Sequence, residues 1–256
     1  MKYEKYYSLI LHECIYTANT APGFIAKSMT FENTAGAAKH QAVAFRNQGD
    51  MSAMFDCGFH GYQDTLYVHA NRQFYRNCEI SGTIDFIFGA SAALIQNSRI
   101  ITRLPQDNQF NTVTADGTKQ KNMATGIVLQ NCEIVPEKAL YPSRFKIKSY
   151  LGRPWKQYSR TVVMESNIGD FIQPEGWSVW SGDLYLDTLY YAEYANSGPG
   201  ANLQGRVKWK GYHGNINKNE AAQFTAAQFL RGGTTGVAED WLKATGVPYS
   251  IGFIKA

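Results

Sequence analysis

A short pattern recurs along the chain and constrains its fold more than any other feature of the sequence. An apolar pair is followed by two polar residues, a small residue, a polar residue and an apolar residue. The copies are AKSMTF (26–31), MFDCGF (54–59), YRNCEI (75–80), IQNSRI (95–100), LQNCEI (129–134) and MESNI (164–168). Alternation with a period of two is typical of β-strands with one face turned inward.

Aligned, the copies form two columns that we expect to face the interior. The small-residue column contains Met29, Cys57, Cys78, Ser98, Cys132 and Ser166, and the apolar column, two residues on, contains Phe31, Phe59, Ile80, Ile100, Ile134 and Ile168. Successive copies are 28, 21, 20, 34 and 34 residues apart. A coil of about 20 residues with loops inserted in some turns predicts a parallel β-helix. A series of β-hairpins is the alternative.

The pattern fades after residue 190. The remaining sequence is polar and rich in Gly and Ala, with helical character at Glu220 to Leu230 and at Ala238 to Ala244. We expect short helices packed on the outside of the β-helix.

Composition limits the class of protein. The chain has 256 residues, of which 44% are hydrophobic, enough for a sizeable core. Its apolar runs are shorter than the roughly 18 residues that a membrane span requires. The first residues contain a short apolar patch, but Glu4 and His12 do not suit a signal peptide.

The four cysteines, Cys14, Cys57, Cys78 and Cys132, lack the CxxC spacing of zinc or redox sites. A structural role is expected for them. The columns place Cys57 directly below Cys78, and both a disulfide and two packed free thiols fit that placement.

Two aspartates stand in strand-like stretches where burial penalises charge. Asp64 follows Cys57 by seven residues and Asp85 follows Cys78 by seven, so both occupy the same position in successive coils. Neighbouring strands are about 4.8 Å apart, so the two carboxylates should be stacked neighbours. A structural alternative is that each aspartate caps a turn.

The same counting predicts the neighbours of this pair. Arg153 lies 13 residues before Ser166, as Asp85 lies 13 before Ser98, which predicts Arg153 in the aspartate column. A cation there would keep Asp85 ionised, while repulsion raises the pKa of the other carboxylate. Gln41 and Gln63 are predicted to flank the pair as amide donors.

These residues alone leave the chemistry open. Retaining glycosidases place two carboxyl groups roughly 5 to 5.5 Å apart, and ester hydrolysis also uses carboxylate nucleophiles. The sequence contains no GxSxG, HExxH, Walker or GxGxxG motif, which argues against a serine esterase. Its five histidines have no consistent partners and are interpreted as ordinary polar residues.

A basic stretch covers residues 144–160, RFKIKSYLGRPWKQYSR, with six cations and no acidic residue. Such a stretch favours binding of a polyanion, although a basic face exposed to solvent is the simpler interpretation. The aromatic residues within it suit stacking on sugars or on bases, so nucleic acid stays open at this point.

Seven longer motifs stand out in the sequence: GFIAKSMTFENTAG, HQAVAFR, GYQDTLYVH, GTIDFIFG, YLGRPWKQYSRTV, DTLYYAEYANSGPGA and WLKATGVPY. Together they resemble the plant pectin methylesterases (pectinesterases), and the resemblance runs from Gly23 to the end of the chain. It implies a right-handed parallel β-helix that hydrolyses the C6 methyl esters of galacturonate units in pectin, with no metal and no cofactor.

The resemblance also assigns roles. Asp85 is expected to be the nucleophile, Asp64 the acid and then the base, and Arg153 the residue that positions Asp85. Gln41 and Gln63 are expected to stabilise the oxyanion. The residues expected to line the sugar groove are Tyr67, Phe88, Trp155, Trp177 and Trp180.

Residues 1–22 do not resemble the family and are expected to form an atypical segment before a β-helix domain at 23–256. The family begins with further coils and a Gly-x-Tyr-x-Glu motif, so a truncated chain with an open first coil is expected. The resemblance implies an extracellular monomer of the plant cell wall. Its expected partners are methylated pectin (homogalacturonan) and a pectin methylesterase inhibitor protein, but not nucleic acid.

Two rival functions remain. One is a pectin or pectate depolymerase on the same fold, which would cut the polymer. The other is a pectin-binding protein without turnover, inactivated by the absence of the first coils.

Overall fold

The computed structural model describes residues 17–231 and 238–255. Cys14 and most of the predicted segment 1–22 lie outside the described residues. The strands are, in chain order, β1 (Thr17–Asn19), β2 (Ile25–Lys27), β3 (Thr30–Glu32), β4 (Phe45–Asn47), β5 (Ser52–Phe55), β6 (Gly58–His60), β7 (Leu66–Val68), β8 (Arg72–Arg76), β9 (Glu79–Gly82), β10 (Ile87–Gly89), β11 (Ala92–Gln96), β12 (Arg99–Thr102), β13 (Asn111–Asp116), β14 (Gly126–Gln130), β15 (Glu133–Pro136), β16 (Ser149–Gly152), β17 (Arg160–Met164), β18 (Asn167–Ile168), β19 (Tyr190–Tyr194) and β20 (Tyr212–Asn215).

The strands stack into three parallel sheets, and each of the six coils from β1 to β18 contributes one strand to each sheet. Sheet A has the order β1-β4-β7-β10-β13-β16, sheet B has β2-β5-β8-β11-β14-β17-β19-β20, and sheet C has β3-β6-β9-β12-β15-β18. The predicted parallel β-helix is confirmed, and the hairpin alternative is wrong because every paired strand runs parallel.

The predicted apolar column lies in sheet C and is in register throughout. Phe31 pairs with Phe59, Phe59 with Ile80, and each isoleucine with the next, up to Ile168. All of these side chains are buried. Their stacking forms a continuous apolar interior, which is the main source of stability in a fold whose coils contact only their neighbours.

The small-residue column marks the corner between sheets B and C. In five of its members the side chain bonds to the backbone carbonyl two residues earlier, as Ser98 Oγ does to Gln96 at 2.9 Å and Cys78 Sγ to Arg76 at 3.4 Å. Met29 was predicted to face inward with them, and this is wrong, since its side chain is 50% exposed. A thioether cannot donate the corner hydrogen bond, and a methionine is too long for a site that Cys and Ser fill.

The residue before each corner has left-handed backbone geometry. Asn77, Asn97 and Asn131 have φ of 53°, 50° and 52°, a region that Asn adopts more readily than most residues. The Asn131 side-chain amide also donates to Asn97 Oδ1 at 2.9 Å. Asparagine therefore stabilises the corner through both its backbone preference and a bond between coils.

The cysteines Cys57, Cys78 and Cys132 are buried free thiols. Their inward orientation agrees with the prediction of structural packing. Each Sγ makes the corner hydrogen bond, and Cys57 lies one coil from Cys78 at the same position.

The C-terminal region departs from the prediction in two ways. Strands continue beyond residue 190, because β19 and β20 extend sheet B. The predicted helix from Glu220 to Leu230 is two helices, α1 (Lys218–Ala222) and α2 (Ala226–Phe229), followed by α3 (Ala238–Ala244). Thr225 has extended backbone geometry and interrupts the helix between them.

The helices pack on the outer face of sheet B, as predicted. Phe224, Phe229 and Leu242 join an apolar cluster with residues of that face, including Phe74 and Leu94. None of the helices among the described residues has the length and apolar character of a membrane span.

A ladder of amides fastens the end of the chain to the same sheet. Gln96 Nε2 donates to Gln130 Oε1, and Gln130 Nε2 donates to Glu165 Oε2, each at 2.8 Å. Backbone groups from Ser250 to Lys255 bond to these three side chains. The ladder therefore satisfies buried polar groups of three coils and of the C-terminal segment together.

The corner geometry predicts the effect of substitutions at Asn131. Asn131→Val should lower the free energy of unfolding by about 1–2 kcal/mol, because a β-branched residue is strained at positive φ. Asn131→Gly is the control, since it also loses the bond to Asn97 but tolerates the backbone geometry. Urea unfolding measures both, and equal stabilities of the two variants would contradict the strain argument.

Candidate active site

Asp64 and Asp85 occupy equivalent positions at the start of neighbouring strands of sheet A. Asp64 lies two residues before Leu66 and Asp85 two before Ile87, and Leu66 pairs with Ile87. Both aspartates have left-handed backbone geometry, with φ of 65° and 51°. The strand pairing therefore places the two aspartates at the same position of adjacent coils, as predicted, and both line the same cavity.

The Asp85 carboxylate is held from two sides. Arg153 donates from Nε to Oδ1 at 2.8 Å and from Nη2 to Oδ2 at 2.7 Å, a bidentate ion pair. Thr112 Oγ1 donates to Oδ1 at 2.6 Å and accepts the Asp85 backbone N–H at 2.9 Å. Asp85 is only 5% exposed, so these charge-assisted bonds fix its rotamer and offset the cost of burying its charge.

Arg153 reaches Asp85 from a different level of the groove than predicted. Gly152 pairs with Thr114, so Arg153 is level with Ala115 and Phe88, three residues beyond Asp85 along the strand direction. The prediction that Arg153 lies in the aspartate column is therefore wrong. Its long side chain nevertheless makes the predicted contact with Asp85. Its guanidinium also lies 4.5 Å from the Trp180 ring and 5.6 Å from that of Phe110.

Insertions between sheets A and B explain this error. Two or three residues separate these sheets after β7 and β10, whereas 117–125 and 153–159 separate them in later coils. Counting backward from the corner column crosses these insertions, so the register shifts. Because of the same shift, the sequence analysis did not identify Thr112. Its place one coil above Asp85 follows only from the strand pairing.

Asp64 differs from Asp85 in its surroundings. Burial, together with the negative charge of Asp85, raises the pKa of Asp64 to about 7, while Arg153 acts in the opposite direction. The predicted direction is confirmed, but burial contributes more than the predicted repulsion. A carboxyl group with such a pKa exchanges protons readily near neutrality.

Gln41 and Gln63 form a parallel bridge between neighbouring coils, and both line the same cavity as the aspartates. Within 17–231 and 238–255, neither side-chain amide has a hydrogen-bond partner in the protein. Both are available as donors to a group in the cavity, as the sequence predicted.

The cavity has a volume of about 370 Å³. Of the predicted groove residues, Phe88, Trp155 and Trp180 line it. Tyr67 lies beside it and stacks on Phe88, with 4.4 Å between ring centroids and 8° between planes. Gly117 leaves room for the Trp155 ring, because a Cβ at 117 would be 2.6 Å from the indole.

Trp177 does not belong to the groove, and this prediction is wrong. Its side chain is 1% exposed and packs on Tyr191, with ring centroids 4.3 Å apart. Trp177 forms a parallel bridge with Gly152, and its ring lies in the interior of the β-helix. Two tryptophans three residues apart could not be assigned to opposite sides without the strand pairing.

Comparison with known proteins agrees with this architecture. A profile of the Pectinesterase family matches residues 11–233. The chain belongs to the pectinesterase family. It is 52% identical over 237 residues to a probable pectinesterase/pectinesterase inhibitor 7 of Arabidopsis thaliana, covering 93% of this chain and 40% of that protein. It is 51% identical to a pectinesterase of Daucus carota, covering 92% of this chain and 72% of that protein.

Solved structures are similar as well. The pectin methylesterase from carrot superposes with a TM-score of 0.89 at 50% identity, covering 92% of this chain and 72% of that one. A pectin methylesterase in complex with a hexasaccharide gives a TM-score of 0.67 at 25% identity, covering 85% and 72%. The chain spans about two fifths of the length of the Arabidopsis relative.

In this pectinesterase-family chain, Asp116 bonds to the ends of two inserted loops, 117–125 and 153–159, the second of which carries Trp155. Its Oδ1 accepts the backbone N–H of Thr118 at 3.1 Å and of Arg160 at 2.7 Å, at one end of each inserted loop. Its Oδ2 is buried without a partner, and burial raises the pKa of Asp116 to about 7.

Among the described residues, no group of three or more His, Cys, Asp or Glu is arranged to hold a metal.

The raised pKa of Asp64 predicts a pH effect on stability. Its usual value is 3.8 and its folded value about 7, so the folded protein binds more protons than the unfolded chain between these pH values. The free energy of unfolding should therefore fall as pH rises through this window. Asp64→Asn should make this decline shallower without abolishing it, because Asp116 contributes in the same direction.

Urea unfolding at a series of pH values measures the effect. Asp56→Asn is the matched control, since Asp56 is an exposed aspartate with a similar φ of 52° outside the cavity. An unchanged pH slope for Asp64→Asn would contradict the assignment.

Proposed function

We propose that this chain hydrolyses the C6 methyl esters of galacturonate units in pectin, giving demethylated pectin and methanol. The arrangement of Asp85 and Asp64 carries this proposal. One carboxylate is held by an arginine, and its neighbour has a pKa near neutrality, in one cavity with two amide donors that lack protein partners. Two carboxyl groups in different environments suit a nucleophile and a general acid.

In the first half of the reaction, an Asp85 carboxylate oxygen attacks the carbonyl carbon of the ester. The carbonyl oxygen becomes an oxyanion and accepts hydrogen bonds from the amides of Gln41 and Gln63. Asp64, protonated at this stage, gives its proton to the methoxyl oxygen as the carbon–oxygen bond breaks. Methanol leaves, and the galacturonate acyl group is joined to Asp85 as an anhydride.

In the second half, ionised Asp64 removes a proton from water, and the resulting hydroxide attacks the acyl carbon. The bond to Asp85 breaks, which restores its carboxylate and releases the free C6 carboxyl group of the polymer. Asp64 ends protonated, ready for the next ester. A pKa near 7 lets the same group donate and accept the proton.

Arg153 and Thr112 position the nucleophile. Their three hydrogen bonds to the Asp85 carboxylate direct its oxygens and restrict its rotation. Removing motion before the reaction lowers the entropic part of the barrier. Thr112 is fully buried, so its role is to orient Asp85 and not to contact the polymer.

The surroundings of the cavity suit an acidic polysaccharide. Phe88, Trp155 and Trp180 offer ring faces for sugars, and the basic stretch 144–160 supplies positive charge. The related pectin methylesterase solved with a hexasaccharide supports an oligosaccharide as the ligand class. Nucleic acid has no comparable support.

The setting of the reaction is also part of the proposal. We infer action on homogalacturonan in the plant cell wall, as a monomer, with a pectin methylesterase inhibitor protein as a protein partner. Plant relatives support this setting, including one named as both pectinesterase and pectinesterase inhibitor.

Substitution of the nucleophile tests the proposed reaction. Asp85→Asn should abolish methanol release from methylated pectin while oligogalacturonate binding is largely kept, because the side chain keeps its size and loses its nucleophilic charge. Asp56→Asn should release methanol at the wild-type rate. Near-normal turnover by Asp85→Asn would refute the mechanism.

Polymer length separates the rival functions in the same assay. An esterase releases methanol at constant polymer length, whereas a depolymerase shortens the chain. Binding without either change would identify a pectin-binding protein.

A further prediction concerns the basic stretch. Replacement of Lys146 and Lys148, which are exposed, and Lys156, which is partly exposed, together by Gln should weaken binding of demethylated pectin. It should also reduce the salt dependence of binding, since attraction between charges near the surface is screened by salt. Binding measured between low and physiological salt checks this. Salt-insensitive binding by the wild-type protein, or preferential binding of single-stranded nucleic acid, would contradict it.

A further inference from the structure

Loop 153–159, which carries Trp155, lies along the end of strand β13. Backbone bonds connect it to residues 114–118, from Arg153 N–H to the Thr114 carbonyl, from Trp155 to Asp116 and from Tyr158 to Thr118. A side chain continues the series, since the Arg160 N–H, directly after the loop, donates to Asp116 Oδ1 at 2.7 Å. The Asp116 side chain therefore marks the point at which this loop returns to the sheet.

Asp116 also joins this loop to the other inserted loop, 117–125. The same Oδ1 accepts the N–H of Thr118 at 3.1 Å. Arg160 donates from Nη1 to the carbonyl oxygens of Met123 and Thr125, at 3.0 and 2.8 Å, and the hydroxyl groups of Thr118 and Thr125 are 2.7 Å apart. One carboxylate oxygen is thus at the centre of a cluster that connects both loops.

The Trp155 ring lies against the turn that this carboxylate shapes. Gly117, which the ring contacts closely enough to exclude a Cβ, stands between Asp116 and Thr118, the two residues that the side-chain bond connects. On its other side the ring meets Phe88 edge-on, with 6.0 Å between centroids, and it lines the cavity. A shift of the turn at Gly117 would therefore shift one wall of the cavity.

An acid at position 116 is costly for the fold. Asp116 is 0% exposed, and among the described residues its Oδ2 has no hydrogen-bond partner. Burial raises the pKa of Asp116 to about 7, which shows that the charged form is penalised. Because the side chain is enclosed, it does not contact a ligand in the cavity. A costly residue without ligand contact is expected where it supports a functional site.

We propose that Asp116 is a positioning residue for the reaction, whose ionised side chain holds Trp155 in place as one wall of the cavity. This inference rests on the proposed function, because the methyl-esterified polymer is the ligand that the wall contacts. Bonds from backbone N–H groups to a carboxylate are stronger than those to a neutral oxygen, which accounts for an acid at this site. Arg153 has its own bidentate pair with Asp85, so the effect of Asp116 falls on binding of the polymer and not on the chemical step.

Kinetics with methyl-esterified oligogalacturonate test the assignment at about pH 8, where most of Asp116 is ionised. Asp116→Ala should raise KM about tenfold, the effect of losing about 1.4 kcal/mol of ring contact, and should leave kcat within about twofold of the wild type. Asp116→Asn, which keeps one acceptor oxygen without the charge, should raise KM about threefold and still reports if Asp116→Ala does not fold. A wild-type KM in the variants that fold, or a loss confined to kcat, would overturn the proposal.

A second substitution shows whether Asp116 acts through Trp155. Trp155→Ala alone should raise KM about tenfold. Adding Asp116→Ala to it should change KM by less than about twofold, because the ring that Asp116 positions is already absent. Effects of the two substitutions that multiply would contradict the proposed route.

Glu165→Ala is the matched control for a loss of stability. Glu165 is also a fully buried carboxylate that accepts backbone N–H groups, from Ile254 and Lys255, but it lies outside the cavity. Its KM should equal that of the wild type, and Glu165→Gln matches Asp116→Asn in the same way. An equal rise of KM in the Glu165 variants would show a general effect of destabilisation and overturn the proposal.

A binding measurement separates this proposal from the proposed function. In the Asp85→Asn background, Asp116→Ala should weaken the binding of the same methyl-esterified oligomer about tenfold, a readout that needs no turnover. Absence of methanol release by the wild type would refute the esterase function alone. Unchanged binding in the double variant would refute the role of Asp116 alone.

Discussion

In-register stacking of parallel strands is the constraint on which the rest of this structure depends. It places residue i of one coil directly against its counterpart in the next coil, at the spacing of a sheet. The apolar column from Phe31 to Ile168, the asparagine corners and the aspartate pair are three results of the same repeat. The chemistry is therefore positioned by backbone pairing in the rigid part of the fold.

Two identical side chains acquire different properties from their surroundings. Asp85 is enclosed by Arg153 and Thr112, while Asp64 is raised in pKa mainly by burial and faces the cavity. The groove continues this contrast, because aromatic rings line the cavity and Arg46, which contacts Gln48 and His69, lies farther along the same face.

Sequence periodicity predicted what lies within a constant repeat. The two columns, the aspartate pair and the glutamines are separated by short turns, so counting residues gave their places. Counting residues gave wrong positions where the repeat changes length. It also gave wrong contacts where the direction of a side chain decides whether it faces the interior or the groove. The level of Arg153, the contact of Thr112 and the burial of Trp177 depend on insertions and on which side of a strand faces inward. The prediction that Met29 faces inward was wrong because the chemistry of the side chain, and not its spacing, decides which residue fits the corner.

The lengths of the turns between sheets A and B differ widely, and yet the strands on both sides keep their pairing. Insertions at these turns leave the interior columns untouched, because the extra residues project away from the stack. The inserted loops and the stacked core are therefore separate structural modules. A change of length in 153–159, the loop that brings Trp155 to the cavity, would reshape the wall of the cavity while the pair of aspartates stays in place.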